Sequence, residues 1–427
     1  MVFNMDVRIK GRAVSGAFDA VASKSDVHRA LICAALSDKQ SRIKFESVSE
    51  DIEATVRCLN ALGAEITIDK NGAEVKPIKE VNHGALLDCG ESGSTIRFMI
   101  PVSAALGAQS RFTGRGRLAE RPLEPMATVM KSNGCRFSQL GKFPLEVGGR
   151  LAPGSYEIPG NVSSQFITGL LLALPVAGGG SVRVIPPVES QKYIDMTVKT
   201  MIKYGAHIKR DGFDFYVENS GYSPSEDVYI SDGDWSNSAF FLCAAAVNGS
   251  VRCNGAFSDS LQGDKEIVTL LERFGAKVTC GESFVEVSSA PLKAIDIDAS
   301  QIPDLVPVLA VTAAFAEGKT TIYNASRLRL KESDRLSAVA QMLTSIGAQV
   351  EEKEDSLIIT GKPGAVYSGT VDSFNDHRMV MSAAVAALGS GGEITVTNAQ
   401  AVNKSYPSFF ETLRSLGGIY DVVQLRQ

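Results

Sequence analysis

A chain of 427 residues with 44% apolar and 21% charged side chains has a globular composition and exceeds one ordinary core, so two domains are expected. Its net charge of −5 argues against a nucleic-acid binder, and any anion site must be a local gathering of Lys and Arg. No apolar run reaches the ~18 residues of a membrane-spanning helix, and no basic-then-apolar signal pattern opens the chain. Seven scattered cysteines, none in C-x-x-C spacing, read as reduced thiols of a cytoplasmic protein; with four histidines they argue against a structural metal.

In chain order, Val7 to Lys10 alternates as a strand. Ser23, Lys24 and Ser25 open an apolar helix that ends near Asp38. An amphipathic helix with Leu59 and Leu62 then stops at Gly63, ahead of a β-like stretch with Ile66 and Ile68. This block recurs about every 71 residues, six times in all. Further apolar, alanine-rich helices open at 91–94, 161–164, 234–237, 301–304 and 375–377, ending near Gly107, Gly178, Gly249, Gly318 and Gly391. Their amphipathic partners stop at Gly134, Gly205, Gly275, Gly347 and Gly417. Alternation at 284–287 and 393–396 adds strands. The expectation is α/β throughout, in six similar units, three per domain, with the midpoint near 232–235. A helix apolar on all sides is buried all round, so each unit holds one buried and one amphipathic helix.

Each buried helix starts with exposed backbone N–H groups and the positive end of its dipole, a ready anion site. Ser, Asp or Asn at such a start is equally an ordinary N-cap. What distinguishes these starts is the cations beside them. Lys24, His28 and Arg29 sit in the first, where basic residues oppose the dipole. Arg97 follows the second, and Arg115, Arg117 and Arg121 crowd a Gly-rich stretch that reads as well as a solvated charge run. Between 327 and 335 lie four cations and two carboxylates; as a surface helix this segment would set Lys331 against like-charged Arg335. His377 and Arg378 open the last buried helix, Lys404 follows it, and the fourth start, at Asp234, carries no cation.

Six segments, SKSDVHR at 23–29, GESGSTIR at 90–97, RLAERP at 117–122, VSSQ at 162–165, LKESDR at 330–335 and NDHRM at 375–379, together resemble the motifs of the 5-enolpyruvylshikimate-3-phosphate synthase family, in the family's order. The resemblance implies two globular domains of three βαβαββ units each, an inside-out α/β barrel arrangement of enolpyruvyl transferases. Domain one would be 1–18 with 234–427 and domain two 19–233, with the substrate cleft between them. It implies transfer of the enolpyruvyl group of phosphoenolpyruvate to the 5-hydroxyl of shikimate 3-phosphate, by addition and elimination of phosphate, with no cofactor or metal. The partners would be these two anions alone, with no nucleic acid or membrane, in a monomeric protein whose domains close on substrate.

Residue by residue, the resemblance assigns shikimate 3-phosphate to Lys24, Ser25, Arg29, Ser163, Ser164, Gln165, Ser190, Asp304 and Lys331. It assigns phosphoenolpyruvate to Lys24, Gly93, Arg121, Gln165, Arg335, Arg378 and Lys404. Asp304 is the expected base for the 5-hydroxyl and Glu332 the acid/base at C3, with Lys24 also catalytic. Two phosphates and two carboxylates bring roughly −6 of charge, which seven cations of this set about balance. Cations so close would depress both carboxylates and weaken the base. Glu91, Ser94 and Arg327 depart from residues common in the family. The sister family that uses UDP-N-acetylglucosamine carries a reactive Cys in its Arg-rich loop, and 111–122 contains none. A non-catalytic anion-binding repeat protein would need no Asp304 or Glu332, and an RNA-end-processing enzyme fits poorly with the negative charge.

Overall fold

The computed structural model describes residues 4–426. They divide into two compact units. The central unit is Ala22–Ser231; the terminal unit holds the described residues up to Val21 and from Asp232 onward. Strand Val14–Asp19 pairs in parallel with Gly249–Asn254 as far as Asp19, and Val21 O accepts from Asp234 N at 2.7 Å. These bonds carry the terminal unit a little beyond residue 18.

The central unit contains α1 (Lys24–Ala35), α2 (Glu50–Leu62), α3 (Gly93–Ala105), α4 (Glu124–Lys131), α5 (Ser164–Ala177) and α6 (Gln191–Lys203). The terminal unit contains α7 (Trp235–Asn248), α8 (Ile267–Phe274), α9 (Val306–Ala314), α10 (Arg335–Ser345), α11 (His377–Ser390) and α12 (Phe409–Ser415). The odd-numbered helices are the apolar ones read from the sequence. Each is buried along nearly its whole length, with α1, α3 and α5 in one core and α7, α9 and α11 in another. The even-numbered helices are amphipathic and lie outside them.

Among the described residues, each unit has three four-stranded sheets. In the second repeat, Leu86–Asp88 runs parallel to Ser110–Thr113, which is antiparallel to Leu145–Gly149 and through it to Cys135–Phe137. This is the βαβαββ order, with α3 and α4 as its helices. Three sheets are completed by strands distant in sequence. Val228–Ile230 closes the first, Val14–Asp19 the fourth, and Asn4–Lys10 lies in the sixth between Glu393–Thr397 and Ile419–Arg426. The first, fourth or sixth repeat cut out of the chain would therefore lack a strand.

The six periodic glycines all have positive φ, from 80° at Gly205 to 116° at Gly63. An L side chain there would be strained at the point where each outer helix turns into its strand, which explains why the period is marked by Gly. Six cysteines are buried and Cys280 is exposed, all as free thiols. No helix among the described residues is long and apolar enough to cross a membrane.

Candidate active site

In the central unit the starts of α1, α2 and α3 are laced together by side chains. Lys24 Nζ lies 2.8 Å from Asp51 Oδ2 in the first turn of α2. His28 Nδ1 meets Thr55 Oγ1 at 2.7 Å, Thr55 meets Thr95 at 2.8 Å, and Thr95 donates to Ser92 Oγ at 2.8 Å. Burial, with Lys24 and Arg29 nearby, holds His28 well below the usual imidazole range, so it is neutral and structural. Arg29 is buried, donating from Nε to Thr197 Oγ1 at 2.8 Å and from Nη2 to Tyr193 O at 3.1 Å. Burial lowers it to about 10, against the pull of Asp26, so it stays cationic at neutral pH.

Between α3 and α5, Gln165 joins two motifs. Its Oε1 accepts from Arg97 Nη1 at 2.7 Å and its Nε2 donates to Ser94 Oγ at 2.8 Å. Ser163 caps α5 by accepting from Gln165 N, while Ser164 is the first residue of that helix. Ser190, buried at the start of α6, has a left-handed backbone with φ 54° and makes no side-chain cap. Gly93 opens α3 directly under the Arg121 guanidinium, and a Cβ built on it would lie 2.5 Å from Arg121 Cζ. Any side chain at this position would push the flexible end of Arg121 aside. The Glu91 carboxylate lies against Gly116 in the Arg-rich turn, where a Cβ would come within 2.8 Å of it.

The terminal unit carries a denser cluster. Arg335, at the first position of α10, is 1% exposed and meets three carboxylates: Asp304 at 2.7 Å, Glu332 at 2.7 Å and Asp376 at 2.8 Å. Asp304 also takes Lys331 Nζ at 3.3 Å and Arg378 Nη2 at 3.2 Å. Burial opposes its charge, but Arg378, Lys331 and Arg335 outweigh burial and hold its carboxyl well below the ordinary range. Burial pushes Lys331 down to about 8; Asp304 and Glu332 counter this, Arg335 and Arg327 add to it. For Arg335 the three carboxylates overcome burial and fix the positive charge. Asp376, fully buried, caps α11 through Arg378 N at 3.0 Å and accepts from Ser333 Oγ at 3.0 Å. Lys404 Nζ donates to Asn375 O at 2.6 Å, next to that cap. Chemically, the cluster combines cations suited to phosphate and carboxylate with carboxylates able to hold or pass protons.

A profile described as EPSP synthase (3-phosphoshikimate 1-carboxyvinyltransferase) matches residues 9–413. The chain belongs to this family. The 3-phosphoshikimate 1-carboxyvinyltransferase of Clostridium novyi is 40% identical over 429 residues, covering 97% of this chain and 98% of that protein. That of Clostridium kluyveri is 41% identical over 422 residues with the same two coverages. An EPSP synthase structure from Acinetobacter baumannii superposes with TM-score 0.81 at 26% identity, covering 99% of this chain and 100% of that one. The enolpyruvyl transferase NikO of Streptomyces tendae, at 19% identity and TM-score 0.78 over 98% and 99% of the two chains, shares the fold.

Against this EPSP synthase background, the structure gathers Lys24, Ser25 and Arg29 at one helix start, and Gly93, Arg121 and Gln165 around the next two. Asp304, Lys331, Glu332, Arg335 and Arg378 form one connected network. The segment 327–335 is not one surface helix: a 3₁₀ turn, Ser326–Leu330, ends before Lys331 and α10 begins at Arg335. That break keeps Lys331 off the helix face of Arg335 and lets both reach Asp304. Arg327 sits in the 3₁₀ turn and adds to the positive field at Lys331. Sequence reasoning missed Asp51 as the partner of Lys24 and Asp376 as the partner of Arg335. For Asp376 there was a signal, its place within NDHRM; for Asp51 there was none.

Proposed function

We infer that this chain transfers the enolpyruvyl group of phosphoenolpyruvate to the 5-hydroxyl of shikimate 3-phosphate and releases phosphate. The full-length match to the EPSP synthase family carries this reading. The substrate hydroxyl adds to C2 of phosphoenolpyruvate while C3 gains a proton; loss of that proton with phosphate then restores the enol ether.

The assignment of residues is our proposal. Lys24, Ser25, Arg29, Ser163, Ser164, Gln165, Ser190, Asp304 and Lys331 bind shikimate 3-phosphate; Lys24, Gly93, Arg121, Gln165, Arg335, Arg378 and Lys404 bind phosphoenolpyruvate. Arg supplies planar forks for carboxylate and phosphate, and Lys a compact charge. Asp304 serves as base and Glu332 exchanges the proton at C3. With three cations on it, Asp304 is a weak base. Anionic substrates compete for the same cations, so their arrival unloads Asp304 and restores its basicity when the hydroxyl is in place. We take the protein to be a monomer working in the cytoplasm, which suits its free thiols.

Phosphate release with both substrates tests the reaction. The purified chain should liberate phosphate only when shikimate 3-phosphate and phosphoenolpyruvate are both present. A folded sample that binds both and releases none above background would reject it.

A further inference from the structure

The fourth buried helix start brings no cation of its own, yet it grips the chain beside one. Asn237, in the first turn of α7, is 2% exposed. Asn suits a buried helix poorly, because its amide needs both a donor and an acceptor partner. Both come from a single residue 168 positions away. Asn237 Nδ2 donates to Ser405 O at 3.3 Å, and Asn237 Oδ1 accepts from Ser405 Oγ at 2.9 Å. The backbone under the amide is fixed in turn, since Asn237 N donates to the Asp234 carboxylate at 2.8 Å. Ser405 directly follows Lys404, the last residue of the 3₁₀ turn Ala399–Lys404. At its other end this turn is tied to strand Asn4–Lys10: Asn398 N donates to Asp6 Oδ1 at 3.0 Å, and Met5 N to Gln400 Oε1 at 2.8 Å. Beyond the turn, the Tyr406 ring meets Phe241 of α7 edge to face, with 6.1 Å between centroids. Lys404 itself is 5% exposed and reaches Asn375 O with its ammonium. A flexible four-carbon stem carries that ammonium, so a small rotation of the backbone at its root becomes a large displacement at its tip.

We propose that Asn237 is a positioning residue for Lys404. By holding both the carbonyl and the hydroxyl of Ser405, it fixes the end of the turn from which the lysine side chain leaves. This rests on the reading of Lys404 as a phosphoenolpyruvate ligand. Asn237 acts through the lysine alone, so its loss is felt by phosphoenolpyruvate and not by shikimate 3-phosphate, and the effect vanishes once the lysine is gone. A contact that only stabilised α7 would spread its cost over both substrates and would not depend on Lys404.

The test is a double-mutant cycle on the full chain, reading KM for each substrate with the other saturating. Lys404→Met should raise KM for phosphoenolpyruvate. Asn237→Ala should raise it about tenfold, as for one charge-assisted contact, and should move KM for shikimate 3-phosphate by under about twofold. Added to Lys404→Met, Asn237→Ala should cost under about twofold more. Ser405→Ala should act in the same direction, and Ser405→Thr, which keeps the hydroxyl, should behave as wild type. Ser405→Ala takes the place of Asn237→Ala in the cycle should that variant fail to fold. If Lys404→Met leaves KM for phosphoenolpyruvate unchanged, the reading of Lys404 falls and this proposal with it. If Lys404→Met raises it while Asn237→Ala does not, or if Asn237→Ala raises both KM values together or keeps its full effect beside Lys404→Met, the reading of Lys404 stands and Asn237 is merely structural.

Discussion

Replacing Arg335 by Met should destabilise the terminal unit as well as remove a proposed phosphoenolpyruvate ligand. The side chain is 1% exposed and touches Asp304, Glu332 and Asp376, which are 22%, 19% and 0% exposed. Asp304 keeps Lys331 and Arg378 as partners, and Glu332 keeps some solvent. Asp376 dominates the cost: it keeps Ser333 Oγ and Arg378 N as donors and His377 Nδ1 at 3.8 Å, but its fully buried charge loses the guanidinium. Removing one partner of a buried pair costs about 3–5 kcal/mol, or roughly 6–20 °C in a unit of this size. Burial opposes the charge of Asp376, but Arg335 wins and holds its carboxyl below the ordinary value in wild type. That contribution is fully present above the unfolded value of about 4 and is lost only as pH falls through the lower folded value, so wild type is flat in this term from pH 5 to 7.5. In the variant the carboxyl titrates upward, so its deficit should shrink on acidification across that window. Urea melts at pH 7.5 and 5, followed by Trp235 fluorescence, provide the measurement. Trp235 is the single tryptophan, is 3% exposed, and belongs to the same unit as Arg335. A deficit under about 0.5 kcal/mol at pH 7.5, or one that does not shrink at pH 5, would refute the reasoning.

Three further outcomes follow from the geometry. Gly93→Ala displaces the flexible end of Arg121 rather than backbone, so KM for phosphoenolpyruvate should rise about tenfold, as for one charge-assisted bond, with the melting temperature little changed; an unchanged KM would remove Arg121 from the ligand set. Lys331, pushed down to about 8, loses its charge as pH rises through that value, so KM for shikimate 3-phosphate should climb above pH 8 and Lys331→Arg should flatten the climb; parallel profiles would count against the assignment. Asp51→Ala frees Lys24 from its 2.8 Å contact, and kcat/KM should fall about tenfold for want of a fixed ammonium; full activity would show that Lys24 needs no such support.

The periodic glycines and apolar helices made the fold readable, because left-handed turns and all-round burial are local demands that each repeat must meet by itself. The partners in the cluster were not readable in that way. Asp304 reaches Arg335 across 31 positions and Asp376 reaches it across 41, spacings that belong to no helix or strand period. Caps at the six buried helix starts show how the copies diverge. Ser92, Ser163, Asp234 and Asp376 each accept from their own helix N–H, while Ser23 and the turn carrying Asp304 make no such side-chain cap. A capping oxygen occupies the donors that would otherwise bind an anion. The first and fifth starts leave this position to something other than their own side chain; Lys24 lies at the first, and Lys331, Arg335 and Arg378 reach Asp304 at the fifth from neighbouring elements. Repetition therefore supplies the scaffold, and the residues in which the starts diverge, capped or not, supply the chemistry.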